Sequence, residues 1–123
     1  MKKFHKNHLW IKIEGNTAKV GLTSFKLADI GALNFLDLPE EGTRVLKDEG
    51  FGSYESTKTT GTFISPVSGV ITKVNKDILD NPSSYDMMAS EEAILELSDI
   101  NLDEVNELLT EEEYEAYLEN IEH

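Results

Sequence analysis

The stretch "FGSYESTKTTGTFISPVSG", residues 51–69, has the composition of two β-strands, with one lysine, Lys58, set in a run of Ser and Thr between them. Solvation alone is reason enough for a lysine on a hairpin tip. A lysine reserved for covalent modification needs more, namely an exposed, unpaired amine on a rigid turn that a modifying enzyme can grip. Thr57 and Thr59 are small enough to leave such an amine accessible, and acylation would remove its charge. On composition alone both readings stand.

The surrounding sequence also reads as short strands. "HLWIKIEGNTAKVGLT", residues 8–23, alternates, with Leu9, Ile11 and Ile13 on one face and Trp10, Lys12 and Glu14 on the other. "EGNT" turns the chain, and Ala18, Val20 and Leu22 return on one side, which makes a hairpin. "SFKLADIG" predicts a short helix capped by Ser24 and closed by Gly31 in the left-handed conformation. "ALNFLDL" is the next strand, ended by "PEEG"; "GFGSYES", "GTFIS", "VITKVN" and "AILEL" (93–97) follow. Pro39–Gly42 and Pro66–Gly69 are both P-x-x-G turns, 27 residues apart, each feeding a strand. A sheet of two similar halves builds a flattened barrel or sandwich, with Lys58 at the tip joining the halves. Gly69 is then a turn glycine, needed if its φ is positive.

The last part of the chain changes character. "NLDEVNELL" places Leu102, Val105, Leu108 and Leu109 at helical spacing, with Asn101 as N-cap and Glu104 at N3. Thr110 and Glu113 form a capping box for a second helix. The expected organisation is one domain over 1–123, with a β core at about 8–97 and acidic helices at about 101–121.

Charge and composition exclude several function classes. Net charge is −13, with all eleven bases between Lys2 and Lys76, where they meet eight acids. From Asp77 onward there are sixteen acids and no base. Such a surface repels nucleic acid and speeds association with basic partner surfaces, unless these acids simply form a solvated helix face. No apolar run is long enough to span a bilayer, and "MKKFHKNHLWIKIEG" lacks a signal-peptide core, so the expected location is the cytoplasm, or the mitochondrial matrix for a processed organellar form. Without cysteine there is no disulfide, thiolate nucleophile or Cys-based metal site. His5, His8 and His123 are not clustered with carboxylates at ligand spacing, two of them lying near a frayed terminus. No phosphate loop or G-x-S-x-G elbow occurs, and Met87 and Met88 read as gap-fillers. A non-catalytic chain is expected.

Three segments together resemble one family. "HLWIKIEGNTAKVGLTSF", "IGALNFLDLPEEGTRV" and "FGSYESTKTTGTFISPVSGVITKVN" are similar to the opening hairpin, the L-P-x-x-G segment and the E-S-x-K…S-P-x-x-G signature of the H proteins of the glycine cleavage system. "ELLTEEEYEAYL" is similar to that family's final helix. The resemblance implies a mainly β fold, a flattened β-barrel or sandwich of the lipoyl/biotinyl-carrier (barrel-sandwich hybrid) type with C-terminal helices. It makes Lys58 the lipoyl-lysine and Glu55 and Ser56 the pair recognised by the modifying enzyme. It further implies a monomeric carrier whose lipoic acid takes an aminomethyl group from glycine decarboxylase (P protein) to an aminomethyltransferase (T protein). Dihydrolipoamide dehydrogenase (L protein) would reoxidise the arm, and a lipoate ligase or transferase would attach it.

One segment departs from the family. Where the family carries an N-x-x-P-Y-G-x-G-W-like stretch that shields the loaded arm, this chain reads "DMMASEEAI", 86–94. Two further readings therefore accompany the first. An H-like paralogue would serve lipoate relay or another redox or sulfur pathway; an unmodified chain would act as an acidic interaction domain.

Overall fold

The computed structural model describes residues 1–121, so His123 lies outside the described residues. Among them, nine strands form two antiparallel sheets. The larger runs in the order β1 (Lys2–His5), β2 (Leu9–Glu14), β3 (Thr17–Leu22), β9 (Leu95–Ser98), β8 (Gly69–Val74) and β5 (Arg44–Val45). The smaller is β4 (Leu33–Asp37), β6 (Gly50–Ser56) and β7 (Thr60–Ile64). This is the sandwich form of the expected architecture; no hydrogen-bonded barrel closes the sheets among the described residues. Ile11 faces Val20, which faces Leu95, and the same inward face carries Ile13, Ala18 and Leu97. These side chains share one buried cluster with Leu33, Leu36, Tyr54 and Phe63 of the smaller sheet. Period-2 alternation thus fills the interior from both sides.

The two P-x-x-G turns have a structural meaning. Each leads into a strand, β5 and β8, and those two strands pair with each other through Arg44↔Val70 and Val45↔Gly69. Gly42 has φ +91 and donates its N–H to Ile71 O at 2.7 Å. Gly69 is different, since it is absent from the positive-φ glycines. Its requirement is space, because a Cβ there would lie 2.9 Å from Ser98 O and 3.2 Å from Ile100 Cγ2. Lys58 does not lie at a seam between halves: the hairpin that carries it, β6–β7, belongs wholly to the smaller sheet.

The N-terminus is not frayed. Strand β1 pairs along its full length with β2, and the Met1 ammonium donates to Ile13 O at 3.2 Å. "KKFH" offers no apolar alternation, so sequence pattern alone misses this edge strand. Trp10, on the face expected to be polar, is only 4 % exposed. It belongs to a second apolar cluster with Phe4 and Tyr114, which is brought there by α4 (Glu111–Ile121). The Phe4 and Tyr114 rings stack at 4.8 Å, and Phe4 exchanges backbone hydrogen bonds with Leu109. Helix α4 thus covers one end of the outer face of the larger sheet.

Local capping follows the sequence with two changes. The Thr110–Glu113 box is present, with reciprocal bonds of 2.9 and 3.2 Å, and Asn101 caps α3 (Leu102–Val105). Glu104 does not complete a box; its carboxylate accepts from Ser68 N at 2.7 Å and Ser68 Oγ at 3.1 Å, tying α3 to the second P-x-x-G turn. Helix α1 (Ser24–Ile30) is capped by Thr23 rather than Ser24, since Thr23 Oγ1 accepts from Lys26 N. A helix α2 (Lys76–Asp80) with Asn75 as its cap was not expected, being a single turn too short for a period to show. Met87 and Met88 fill no gap, being 54 % and 93 % exposed on a 3-10 turn. Of the C-terminal acids, Glu91, Glu96, Asp99 and Glu107 pair with Lys2, Lys73, Arg44 and Lys47, whereas those on the exposed face of α4 are solvated.

Two outcomes follow from this packing. Gly69→Val should lower stability by about 1–3 kcal/mol, because the new side chain meets backbone that cannot yield; thermal unfolding measures this, and an unchanged Tm contradicts it. The second outcome concerns acid. His8 Nδ1 lies 2.8 Å from Tyr114 Oη, which lies 3.0 Å from Thr23 Oγ1, so the imidazole joins α4 to the cap of α1. Burial holds the His8 pKa below its ordinary value; the Lys26 and His5 charges act the same way and Asp29 opposes. A histidine with a folded pKa below its unfolded one binds protons more readily when unfolded. Its contribution is therefore present above the unfolded pKa and lost as pH falls through that value towards the folded one. Urea unfolding at pH 7 and pH 5 should show the loss, and His8→Asn, which suits the backbone there (φ +69), should flatten that part of the profile. An unchanged profile in the variant contradicts the assignment.

Candidate functional site

Glu55, Ser56 and Lys58 come together on the β6–β7 hairpin, the first two at the end of β6 and the third in the turn that follows. The last ladder pair is Glu55↔Thr60, and Ser56 N closes the turn by donating to Thr59 O at 2.8 Å. The Ser56 hydroxyl then does three things. It donates to Thr59 O at 3.0 Å, and it accepts from Thr59 N at 3.1 Å and Lys58 N at 3.3 Å. A serine hydroxyl replaces water for the polar groups inside a tight turn in this way, which fixes the turn without a proline. The role of Ser56 visible in the fold is therefore internal to the hairpin.

Lys58 is exposed, and among the described residues its ammonium pairs with no carboxylate. Its neighbours Thr57 and Thr59 are exposed too, and Glu55 points its carboxylate to solvent beside Thr60. The base of the hairpin is stiff. Tyr54 lies over Gly61, where a Cβ would come within 2.7 Å of three ring-end atoms, and its ring packs on Phe63 at 5.1 Å. The Lys26 ammonium of α1 sits 5.5 Å from the Tyr54 ring, a cation–π contact between helix and hairpin. A second link is direct, from Thr57 N to Ala32 O at 2.9 Å. Sequence reasoning found Glu55, Ser56 and Lys58 and missed Ala32, because a backbone bond between residues 25 apart leaves no local signal.

The divergent segment 86–94 is well anchored. Tyr85 is buried; its hydroxyl accepts from Leu22 N at 2.7 Å and donates to Glu92 O at 2.9 Å, and burial pushes its pKa up. Trp10 Nε1 donates to Ser90 O at 2.7 Å, and Asp86 caps the 3-10 turn Met87–Ala89 through Met88 N and Ala89 N. That turn packs against α1, the helix that also reaches the Lys58 hairpin. A concavity of about 620 Å³ lies elsewhere, on the outer face of the larger sheet between Lys19, Lys73, Lys76 and Glu92. Lys58 does not line it, and its mixed charge and open shape give no reacting group a partner. Among the described residues no cluster of His, Asp and Glu is arranged to hold a metal ion, and no helix is long and apolar enough to cross a membrane. The chemistry this hairpin offers is that of a single accessible primary amine on a fixed tip.

Comparison with known proteins agrees with this geometry. The family model "Glycine cleavage H-protein" matches residues 2–121. The chain is 37 % identical over 115 residues to the glycine cleavage system H protein of Geobacillus thermodenitrificans, covering 93 % of this chain and 91 % of that one. It is 38 % identical over 119 residues to the one from Anoxybacillus flavithermus, covering 94 % and 92 %. Among solved structures, a glycine cleavage system H protein from Mycobacterium marinum superposes with a TM-score of 0.84 at 32 % identity, covering 94 % of each chain. With a family model matched from residue 2 to 121, relatives more than a third identical over nearly the whole length, and a shared two-sheet frame, this chain belongs to the glycine cleavage H-protein family.

Proposed function

We propose that the chain, taken as one unit over 1–123, is a non-catalytic carrier of the glycine cleavage system, with lipoic acid amide-linked to Lys58. The observation that carries this reading is the fixed, exposed and unpaired Lys58 at the tip of a hairpin whose turn is closed by Ser56. The residues fit the group. An amide at Nζ removes a charge that no neighbouring carboxylate needs, and the small side chains of Thr57 and Thr59 leave room for an acyl chain. When bound, lipoate supplies a dithiolane that accepts an aminomethyl group and returns as a dithiol.

The chain's own residues supply position. Ser56 and the Thr57–Ala32 bond hold the tip, so a ligase or transferase meets a lysine whose backbone is already ordered and loses less entropy on binding. Glu55, one residue before Ser56 and facing solvent, is the group on this hairpin able to be read by charge. Tethering then makes each transfer local once the carrier docks on glycine decarboxylase, the aminomethyltransferase or dihydrolipoamide dehydrogenase. The solvated acids of α4 give docking an electrostatic bias towards basic partner surfaces, most strongly at low salt.

A specific feature supports a second reading, that of an H-like paralogue in another lipoate-dependent relay. The segment 86–94, beside α1, carries two exposed methionines where the family has its arm-shielding stretch. One experiment separates the readings. The chain and Lys58→Arg are incubated with a lipoate ligase, ATP and lipoate, mapped by mass, and then supplied to the three partner enzymes with glycine. The carrier reading predicts one lipoyl amide, on the peptide containing Lys58 and absent from the variant, together with glycine decarboxylation that the variant does not support. Lipoylation without decarboxylation selects the paralogue; no lipoylation, beside a control carrier that is modified, overturns both.

A further inference from the structure

The C-terminal turn of α1 touches the Lys58 hairpin at a point that no functional role yet covers. Gly31 has φ +77 and ψ −162, an extended backbone of the mirror-image kind that a residue with a Cβ avoids. The expected left-handed helical closure is therefore not what forms there. A Cβ on Gly31 would lie 2.6 Å from Thr57 Oγ1, and 3.7 and 3.8 Å from Cγ and Cδ of Lys58. Thr57 and the stem of Lys58 thus rest directly on the bare backbone of residue 31. The next residue supplies the matching bond, Ala32 O accepting from Thr57 N at 2.9 Å. In the same helix, Lys26 reaches over Tyr54 at the base of the hairpin. The hairpin is held inside by Ser56 and outside by this seat.

We infer that Gly31 and Ala32 are positioning residues for acylation of Lys58: the absent side chain of Gly31 makes the seat on which Thr57 and the lysine stem lie, and Ala32 O fixes its height. The inference rests on the carrier reading and adds to it a determinant outside the E-S-x-K run. Ser56 orders the turn relative to its own strands and the β4–β6 ladder holds the strand end, while the segment closing α1 meets the turn beyond the ladder, at Thr57 and Lys58. An enzyme that grips both the hairpin and the body of its substrate therefore depends on this seat. A methyl group at residue 31 must displace Thr57, whose Oγ1 it would meet at 2.6 Å, while the Lys58 stem lies in ordinary contact and moves only as Thr57 carries the turn with it.

The test is the rate of Lys58 lipoylation by a lipoate ligase on five full-length proteins. These are the wild type, Gly31→Ala, Thr57→Ala, the double variant Gly31→Ala/Thr57→Ala, and Gly69→Ala. Gly69→Ala is the control for stability, since a Cβ there meets Ser98 O within the larger sheet, to which the hairpin does not belong. The inference predicts that Gly31→Ala, folded by circular dichroism, loses at least tenfold in kcat/KM, mostly in KM. Thr57→Ala should stay within about threefold of wild type, because its N–H remains to bond Ala32 O. The double variant should regain at least threefold over Gly31→Ala, since the atom nearest the new methyl is gone. Gly69→Ala should be modified at the wild-type rate whatever its Tm. Modification of Gly31→Ala at the wild-type rate overturns the inference and leaves the carrier reading intact. A loss in Gly31→Ala that Gly69→Ala shares, or that Thr57→Ala does not relieve, assigns Gly31 to stability alone and also overturns it. An unmodified wild type removes the carrier reading and this inference with it.

Discussion

A turn of this length leaves its inner backbone groups unpaired, and a lysine on it is only as well placed as those groups are bonded. The hydroxyl of Ser56 meets that constraint, donating once and accepting twice across the turn. Each bond of this kind contributes on the order of 1 kcal/mol net. Their collective effect is larger than stability suggests, because they convert a polar loop into a fixed tip. Without such closure, Lys58 would be one of ten lysines on the surface with nothing in its backbone to distinguish it.

The remainder of the fold holds this tip still with respect to the body. The smaller sheet that carries the hairpin packs its Tyr54 and Phe63 into the same core as Ile11, Val20 and Leu97 of the larger sheet. Helix α1 then bridges them at the surface, capped by Thr23 at one end and seated under Thr57 at the other. Thr23 is bonded in turn to Tyr114 of α4, and Tyr114 to His8. A continuous set of packed and bonded groups therefore runs from the C-terminal helix to the Lys58 hairpin. Its meaning is mechanical support; a switch would require a second arrangement of these groups.

Much of this was legible in the sequence, and what was not has physical causes. Alternation at 9–22 and the Ser/Thr-flanked Lys58 are short-range patterns, so the hairpins and the exposed lysine between two strands could be read directly. The capping box of α4 is likewise local. Trp10 was misplaced because the helix that buries it lies a hundred residues away, and Met87 and Met88 because hydrophobicity alone does not say which apolar side chains find a neighbour. Glu104 has the spacing for a capping box yet bonds Ser68, a tertiary partner that outcompetes the local one. Gly69 and Gly31 illustrate the same limit from opposite sides. The first was read as a conformational glycine and is a steric one, while the second closes a helix and also makes room for the hairpin beside it.

The fold, and not a flexible loop, presents Lys58. Amide hydrogen exchange on the full-length, unmodified chain measures this directly. The amides of Ser56 and Thr57, bonded to Thr59 O and Ala32 O, should exchange as slowly as those of the β6–β7 ladder. Exchange of both at the rate of an unstructured peptide, while the ladder stays protected, would contradict it: the lysine would then sit on a mobile tip, and neither Ser56 nor α1 would be holding it.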